Sequence, residues 1–459
     1  MISFLVKLRE LSERIDRLDV PYWLPKFREQ QQQLEKCGFE LVPLSHFISS
    51  LESGTGIYDL SEDAGWHYIN VNNITSMGIN VANCGFVSSP PDENATNTLR
   101  FGDVATGRVG TIGIFCKYSL DVPAYISDNV FRIRLKECNA DYILAVLNSS
   151  IVQNQIEREA KGSLQRVVNK QTIRNLLIPI PPCEVQERIV TELNAAYAAK
   201  RKADKKAADL LASIEHVVLD ALGIPPLPPP DTSLSARIFT VSSQNIGNNR
   251  LDAYHYRPFF RLNVERIRKN NCQLLKYLVE LSHDMWGQEK WNDENDGYFP
   301  YLEIGAISTE DGSVLDVSTI PIAEAPSRAR MIANRGDLLV SLTRPTRKAI
   351  AFVPEAFDTL VASTGFAIIR KNKPSITMNY LFEVLRTELC TLQFDQRSSG
   401  WNYPAITEEQ LLKCIIPVPP LSIQEEIATK ASSIRAKAKA MKSAAATELA
   451  ASKKKIESI

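Results

Sequence analysis

The segment Ile178–Ile189, IPIPPCEVQERI, returns at Ile416–Ile427 as IPVPPLSIQEEI. Pro179 and Pro417 are 238 residues apart, and so are Gln186 and Gln424. Each copy leads into a long Ala/Lys-rich stretch with helical periodicity, one mid-chain and one near the end. A proline clamp followed by a long helix, occurring twice at constant spacing, reads as two copies of one unit. A duplicated unit suits a target with two halves.

The duplication reaches further back. Arg17-Leu18-Asp19 opens RLDVPYWLPKFR and Arg250-Leu251-Asp252 opens RLDAYHYRPFFR, an offset of 233. Tyr68-Ile69-Asn70 and Tyr301-Leu302-Glu303 sit in alternating, strand-like runs. Phe101-Gly102-Asp103-Val104 matches Arg335-Gly336-Asp337-Leu338 at offset 234, and a Gly-Asp pair before an apolar run predicts a turn entering a strand. Tyr142-Ile143-Leu144 and Tyr380-Leu381-Phe382 open a helix in each half, and Gly162 pairs with Gly400, both at offset 238. Small offset changes are what surface-loop insertions produce.

The predicted fold is α+β. Two mixed α/β domains are separated by two long antiparallel coiled-coil helices, with an internal pseudo-twofold repeat. The expected divisions are 1–178 for an N-terminal helix and the first mixed domain, and 179–223 for the first long helix. Residues 224–416 follow as a Pro-rich linker and second domain, then 417–459 as the second long helix. The linker Ile224–Pro230, IPPLPPP, is expected to be a stiff polyproline II connector. In the first long helix the four-three spacing runs through Ile189, Leu193, Ala196, Lys200, Ala203, Ala207, Leu210, Ile214, Val217 and Ala221, all apolar but Lys200. Gly223 and Pro225 should stop it. Roughly 38 residues at 1.5 Å rise make a rod of about 57 Å. The second helix repeats the pattern with Ile427, Ala431, Ile434, Ala438, Met441 and Ala445, and its seam blurs at Glu448/Leu449. Alanines in both seams permit close approach, so the two helices are expected to pack on each other.

A chain of 459 residues with 44% hydrophobic and 23% charged residues is ordinary for globular protein. Lys+Arg and Asp+Glu both number 53, which argues against a non-specific polycation but not against basic residues gathered on one face. The eight cysteines form no CxxC and no zinc spacing, which fits reduced thiols. The start, MISFLVKLRELSERIDRL, carries charges inside its apolar pattern and does not read as a signal peptide. No stretch of about 18 apolar residues is present to span a membrane. A cytoplasmic location is expected.

Catalytic motifs are missing. There is no GxxxxGK[ST], HExxH or GxSxG, and Phe101–Gly113 is glycine-rich without the phosphate-loop lysine. The nearest string to an amino-methyltransferase loop, Ser89-Pro90-Pro91-Asp92, lacks both its polar amide or acid and its aromatic. The five histidines, His46, His67, His216, His255 and His283, give no triad. The pattern is that of a recognition device rather than an enzyme.

A mixed domain ending in IPxPP-x-x-x-Q-E, then a long helix, then the whole unit again, resembles the specificity subunit of type I restriction–modification enzymes. The resemblance covers essentially the whole chain. It is carried by the clamps, with Gln186-Glu187-Arg188 and Gln424-Glu425-Glu426, and by the approaches GSLQRVVNKQTIRNLLIPIPP and GWNYPAITEEQLLKCIIPVPP. The second clamp departs slightly, with Glu426 where the first has Arg188. The resemblance implies that each mixed domain is a target-recognition domain for one half of a bipartite double-stranded DNA sequence. It also implies that the paired helices hold the domains apart and bind two methyltransferase subunits, and indirectly motor/endonuclease subunits. Adenine N6 methylation would belong to the partner. No cofactor is expected on this chain, S-adenosylmethionine being bound by the methyltransferase.

Phosphate contacts position such a reader and side chains at base edges give sequence. The candidates are basic and polar residues in expected loops. In the first domain they are Arg100, Arg108, Lys161, Gln165, Arg166 and Lys170. In the second they are Arg328, Arg330, Arg344, Arg347, Lys348, Arg397, Trp401, Asn402 and Tyr403. Two other readings stay open: the specificity component of a type IIB-like or orphan methylation complex, and a coiled-coil scaffold whose domains bind proteins.

Overall fold

The structure, a computed structural model, describes residues 20–57, 59–61, 65–82, 84–92, 94–160, 166–229, 231, 233–235, 238–242, 246, 250–287, 297–400 and 403–457. The first Arg-Leu-Asp, the N-terminal run and Gly162 lie outside these residues. The fold is mixed α/β with two repeated domains, and it divides into two compact units. One runs to Ala203 and resumes at Ser443; the other is Asp204–Lys442.

In the first unit, strands Ile48–Ser53, Val130–Leu135, Val104–Gly107 and Phe115–Lys117 lie side by side in that order. A second sheet orders Gly85–Val87, Trp66–Ile69, Ala124–Ile126 and Thr98–Leu99. Side chains alternate across a strand. Val104, Phe131 and Ile133 accordingly join the core under the helices, while their neighbours Ala105 and Val130 join the core shared with the second sheet. Val104–Gly107 lies between these two cores and is buried throughout. Helix Ala140–Leu147 is capped by Asn139, whose side chain accepts from the Tyr142 amide at 3.1 Å. The clamp forms a strand, Leu177–Ile180, antiparallel to Glu40–Pro43.

The second unit has the same plan. Its first sheet orders Val279–Ser282, Phe366–Asn372, Leu338–Ser341 and Ile350–Phe352, and its second Ser318–Pro321, Tyr298–Leu302, Thr359–Ser363 and Ala329–Asn334. Leu338 and Val340 face the helices while Leu339 faces the second sheet. Thr377 caps helix Met378–Leu385 as Asn139 caps its counterpart. The second clamp strand, Ile415–Pro417, pairs antiparallel with Cys272–Leu274. The Gly-Asp turns also match. Gly102 and Gly336 take φ values of 90° and 86°. Asp103 and Asp337 are buried and ion-paired to Arg134 and Arg370 at 2.9 Å in each unit.

Both clamps lead into long helices, Cys183–Leu222 and Leu421–Glu457. The first ends in a Schellman turn: Gly223, at φ 63°, donates to Asp220 O at 3.0 Å, and Ile224 donates to Leu219 O at 2.9 Å. Residues 224–229 then form neither helix nor strand. In the first unit Leu193 and Ala196 share a core with Leu449 and Ile456. Lys455 pairs with Glu192 at 2.8 Å and Lys453 lies over the Tyr197 ring. In the second unit Ile214, Val218, Leu219 and Leu222 share a core with Ile427 and Ala431.

Two details depart from the sequence pattern. The first seam holds through Ile214 but then buries Val218 and Leu222 in place of Val217 and Ala221. An α-helix repeats every 3.6 residues, so a strict seven-residue stripe drifts off the buried face. The second seam does not fade at Leu449: Leu449 is buried and Ile456 is 1% exposed.

Candidate nucleic-acid interface

The basic run Arg344-Pro345-Thr346-Arg347-Lys348 forms a turn in the second unit. Strand Leu338–Ser341 runs into Thr343–Lys348 before the chain returns as Ile350–Phe352. Pro345 starts a single 3-10 turn, Pro345–Arg347, flanked by two residues in the left-handed region, Arg344 (φ 47°) and Lys348 (φ 61°). The Arg344 amide donates to Pro404 O at 2.7 Å, and Thr343 forms a bridge with Ala405. This ties the turn to the loop before the second clamp, and the Arg344 guanidinium lies 4.5 Å from the centre of the Tyr403 ring. Tyr403 is 70% exposed, and Arg347 projects exposed between them in sequence. A guanidinium stacked on an exposed aromatic, with a second arginine three residues on, can bind phosphate and stack on a base.

Lys348 is anchored instead. Its ammonium pairs with Glu215 at 3.4 Å and its carbonyl accepts from Arg386. Burial pulls the Arg386 guanidinium down to about 10. Arg397 also turns inward: it donates to Gln393 O at 3.1 Å and to Lys413 O at 3.3 Å, closing the end of one helix onto another. Its guanidinium is thus taken up by backbone carbonyls rather than presented outward. Arg250, from the repeated Arg-Leu-Asp entry, grips the same loop. It donates to Arg397 O at 3.0 Å and Ser398 O at 3.1 Å while pairing with Asp252. Sequence reasoning did not give Arg250 this task, although its place in the repeat singled it out. Gly400, at φ 95°, sits where a Cβ would lie 2.9 Å from Tyr403 O. Trp401 and Asn402 lie outside the described residues.

Arg328 and Arg330 are exposed on either side of the fully buried Ala329, where the strand Ala329–Asn334 begins. The Arg328 carbonyl accepts from Thr364, and Arg330 Nε donates to Ser327 O at 3.2 Å.

The first unit has the corresponding turn. Val109 bridges to Val167 and the Gly110 amide donates to Arg166 O at 3.1 Å. Arg108 and Arg166 are thereby brought into one exposed turn, and Arg108 also reaches Asp128 O at 3.5 Å. Arg100 is exposed at the Gly-Asp turn, its amide held by Asp103 at 3.0 Å. Lys170, at the start of a short helix, is paired with Glu52 at 2.6 Å. Lys161 and Gln165 lie outside the described residues.

The family described as "Type I restriction modification DNA specificity domain" matches residues 92–207 and 277–447, more than half of the chain and part of each repeat. The chain belongs to this family. A stretch of 108 residues is 27% identical to the HindI specificity subunit of Haemophilus influenzae, covering 23% of this chain and 24% of that relative. The matched stretch thus spans about a quarter of the relative's length. The S subunit of a type I system from M. genitalium is similar over 90% of this chain and 94% of that one, at 10% identity and TM-score 0.39. The HsdS subunit of Thermoanaerobacter tengcongensis is similar over 91% and 94%, at 19% identity and TM-score 0.31. Among the described residues, no helix is long and apolar enough to cross a membrane.

Proposed function

We propose that this chain is the DNA-recognition subunit of a type I restriction–modification complex, reading a bipartite target with one head per unit. The observation that carries this is the junction seen twice. In each unit a mixed α/β head closes on a proline clamp, and the clamp opens directly into a long helix. Two heads of one construction, each built onto a helix, suit two short sequences read at fixed separation with the bases between ignored. The long helices act as an antiparallel coiled-coil spacer and as the seat for two methyltransferase subunits, with motor/endonuclease subunits recruited through them. Chemistry, adenine N6 methylation with S-adenosylmethionine, belongs to the methyltransferase, and the chain itself works without a cofactor.

Within each head the exposed cationic turn, Arg108 with Arg166 or Arg344 with Arg347, supplies phosphate contacts that set the head on the duplex. Neighbouring polar side chains read base edges in the groove. The test is selection from random duplexes by the chain assembled with its methyltransferase subunits. Enrichment of two short blocks separated by unread positions supports the reading. Enrichment of one contiguous block, or of none, contradicts it.

A further inference from the structure

The repeated strings Tyr68-Ile69-Asn70 and Tyr301-Leu302-Glu303 end in the same backbone pose. Asn70 precedes the 3-10 turn Val71–Asn73 at φ -102° and ψ 170°, and Glu303 precedes Ile304–Ala306 at φ -97° and ψ 163°. Both residues are exposed. Their side chains differ in kind, an amide in one unit and a carboxylate in the other.

In the second unit this pose lies at the same end of the sheets as the cationic turn. Strand Tyr298–Leu302 runs parallel to Thr359–Ser363 and pairs Leu302 with Ala362, so Glu303 follows at the level of Ser363. Ala329 also pairs with Ser363, which brings Arg328 to that end. The chain then crosses by Thr364-Gly365 to Phe366, the partner of Ser341, where the strand before the turn ends. A Cβ on Gly365 would stand 2.6 Å from Ile304 and 3.5 Å from Thr343, so the neighbour of Glu303 and the turn meet across one glycine. Burial pushes the Tyr301 phenol pKa up; Glu303 adds to the shift, while a Ser363 hydrogen bond and Arg328 oppose it, so both charges act at this rim. The first unit is built alike. Ile69 pairs with Ile126, Val130 pairs with Gly107, and a Cβ on Gly107 would stand 3.1 Å from Val71.

A carboxylate on a rim of arginines does not serve phosphate, which it repels. Toward DNA it can only accept a hydrogen bond. The major-groove donors are cytosine N4 and adenine N6, and adenine sets its N7 acceptor beside that amino group. Cytosine is therefore the base that a carboxylate fits. Glu303 makes no side-chain cap hydrogen bond, and among the described residues it pairs with no cation. An amide in the same pose, as at Asn70, combines donor and acceptor and matches adenine instead.

We propose that Glu303 is a specificity-determining residue of the second head, accepting a hydrogen bond from the amino group of a cytosine in the half-sequence that this head reads. This rests on the reading that the cationic turns face DNA, and it names one base contact within that reading.

The experiment is selection from random duplexes by the full chain assembled with its methyltransferase subunits, with wild type, Glu303→Gln and Glu303→Ala compared, together with the unfolding midpoint of each chain. Glu303→Gln should turn a preference for cytosine into one for adenine at a single position of one half, a change of about tenfold or more in relative enrichment. Glu303→Ala should flatten the preference at that same position. The other half and the midpoints should stay as in wild type. A motif unchanged in both variants overturns the proposal, as does an even rise in binding to all duplexes, or an affected position at which wild type prefers a base other than cytosine. Loss of preference across the whole half with a lowered midpoint also overturns it, since the residue would then act through folding. A wild-type complex that enriches no sequence refutes the DNA reading itself, and this proposal with it.

Discussion

Tyr142 and Tyr380 occupy the same place in the two repeats, and each donates its hydroxyl to the carbonyl of the equivalent clamp proline. The distances are 2.8 Å to Pro179 and 2.9 Å to Pro417. Burial pushes the pKa of both phenols up. Around them further hydrogen bonds repeat. Gln155 and Gln393 each bond both polar groups of the clamp strand, at Leu177 and Ile415. Gln186 and Gln424 each donate to the clamp at 2.9 Å, to Pro181 O and Pro419 O. The clamp is therefore a hydrogen-bonded joint between head and helix, and prolines suit it because their carbonyls accept while no amide is left to satisfy.

Removing one of these hydroxyls strands a buried carbonyl. Tyr142→Phe and Tyr380→Phe should each cost about 1–2 kcal/mol. Because the two sites lie in separate units and share no partner, the double variant should lose the sum. Denaturant unfolding of the three variants checks this. Midpoints equal to wild type would mean that the hydroxyls do not hold the clamps.

The second unit's long helix is also fastened by charge. Arg435 pairs with Glu383, which is 4% exposed, donates to Asp311 O at 3.0 Å, and lies over the Phe382 ring. The equivalent positions in the first unit are Tyr197, Ala145 and Leu144, so that joint is largely apolar. Arg435→Met leaves a buried carboxylate unpaired and should cost about 3–5 kcal/mol, and adding Glu383→Leu should restore most of it. A double-mutant cycle in unfolding free energy reads the difference. Additive losses would show that the pair is not coupled.

Arg347 projects from the strained turn into solvent. If it meets phosphate, Arg347→Ala should lower the log–log salt slope of DNA binding by about one while leaving the unfolding midpoint in place. A slope identical to wild type removes Arg347 from the interface.

The helices set the spacing on this account. Inserting one helical turn in the Lys200–Leu210 stretch adds about 5.4 Å of rise. The unread spacer of the target should change while both half-sequences stay the same, as read by binding-site selection. Both halves bound at unchanged spacing would refute a spacer role.

Much of this was legible because the repeat is a comparison built into one chain. The offset of 238 alone pairs Tyr142 with Tyr380 and Gln186 with Gln424, and alternating runs place the central strands. What the sequence hides is where long side chains point. Arg397 reads as a donor to DNA but turns into the helix ends, and Lys170 spends its charge on Glu52, 118 residues away. The partners of Asp103 and Asp337 come from strands more than 30 residues on, beyond any local period. The left-handed backbone of Arg344 was equally hidden, since turn propensity alone would put glycine there.

The most direct test of two-headed reading is modified-base sequencing of DNA from cells expressing this chain with its methyltransferase subunits. The account predicts methyladenine within a split motif, one modified adenine in each half and an unread spacer between. Methylation in a single contiguous motif, or no methylation that depends on this chain, would contradict it.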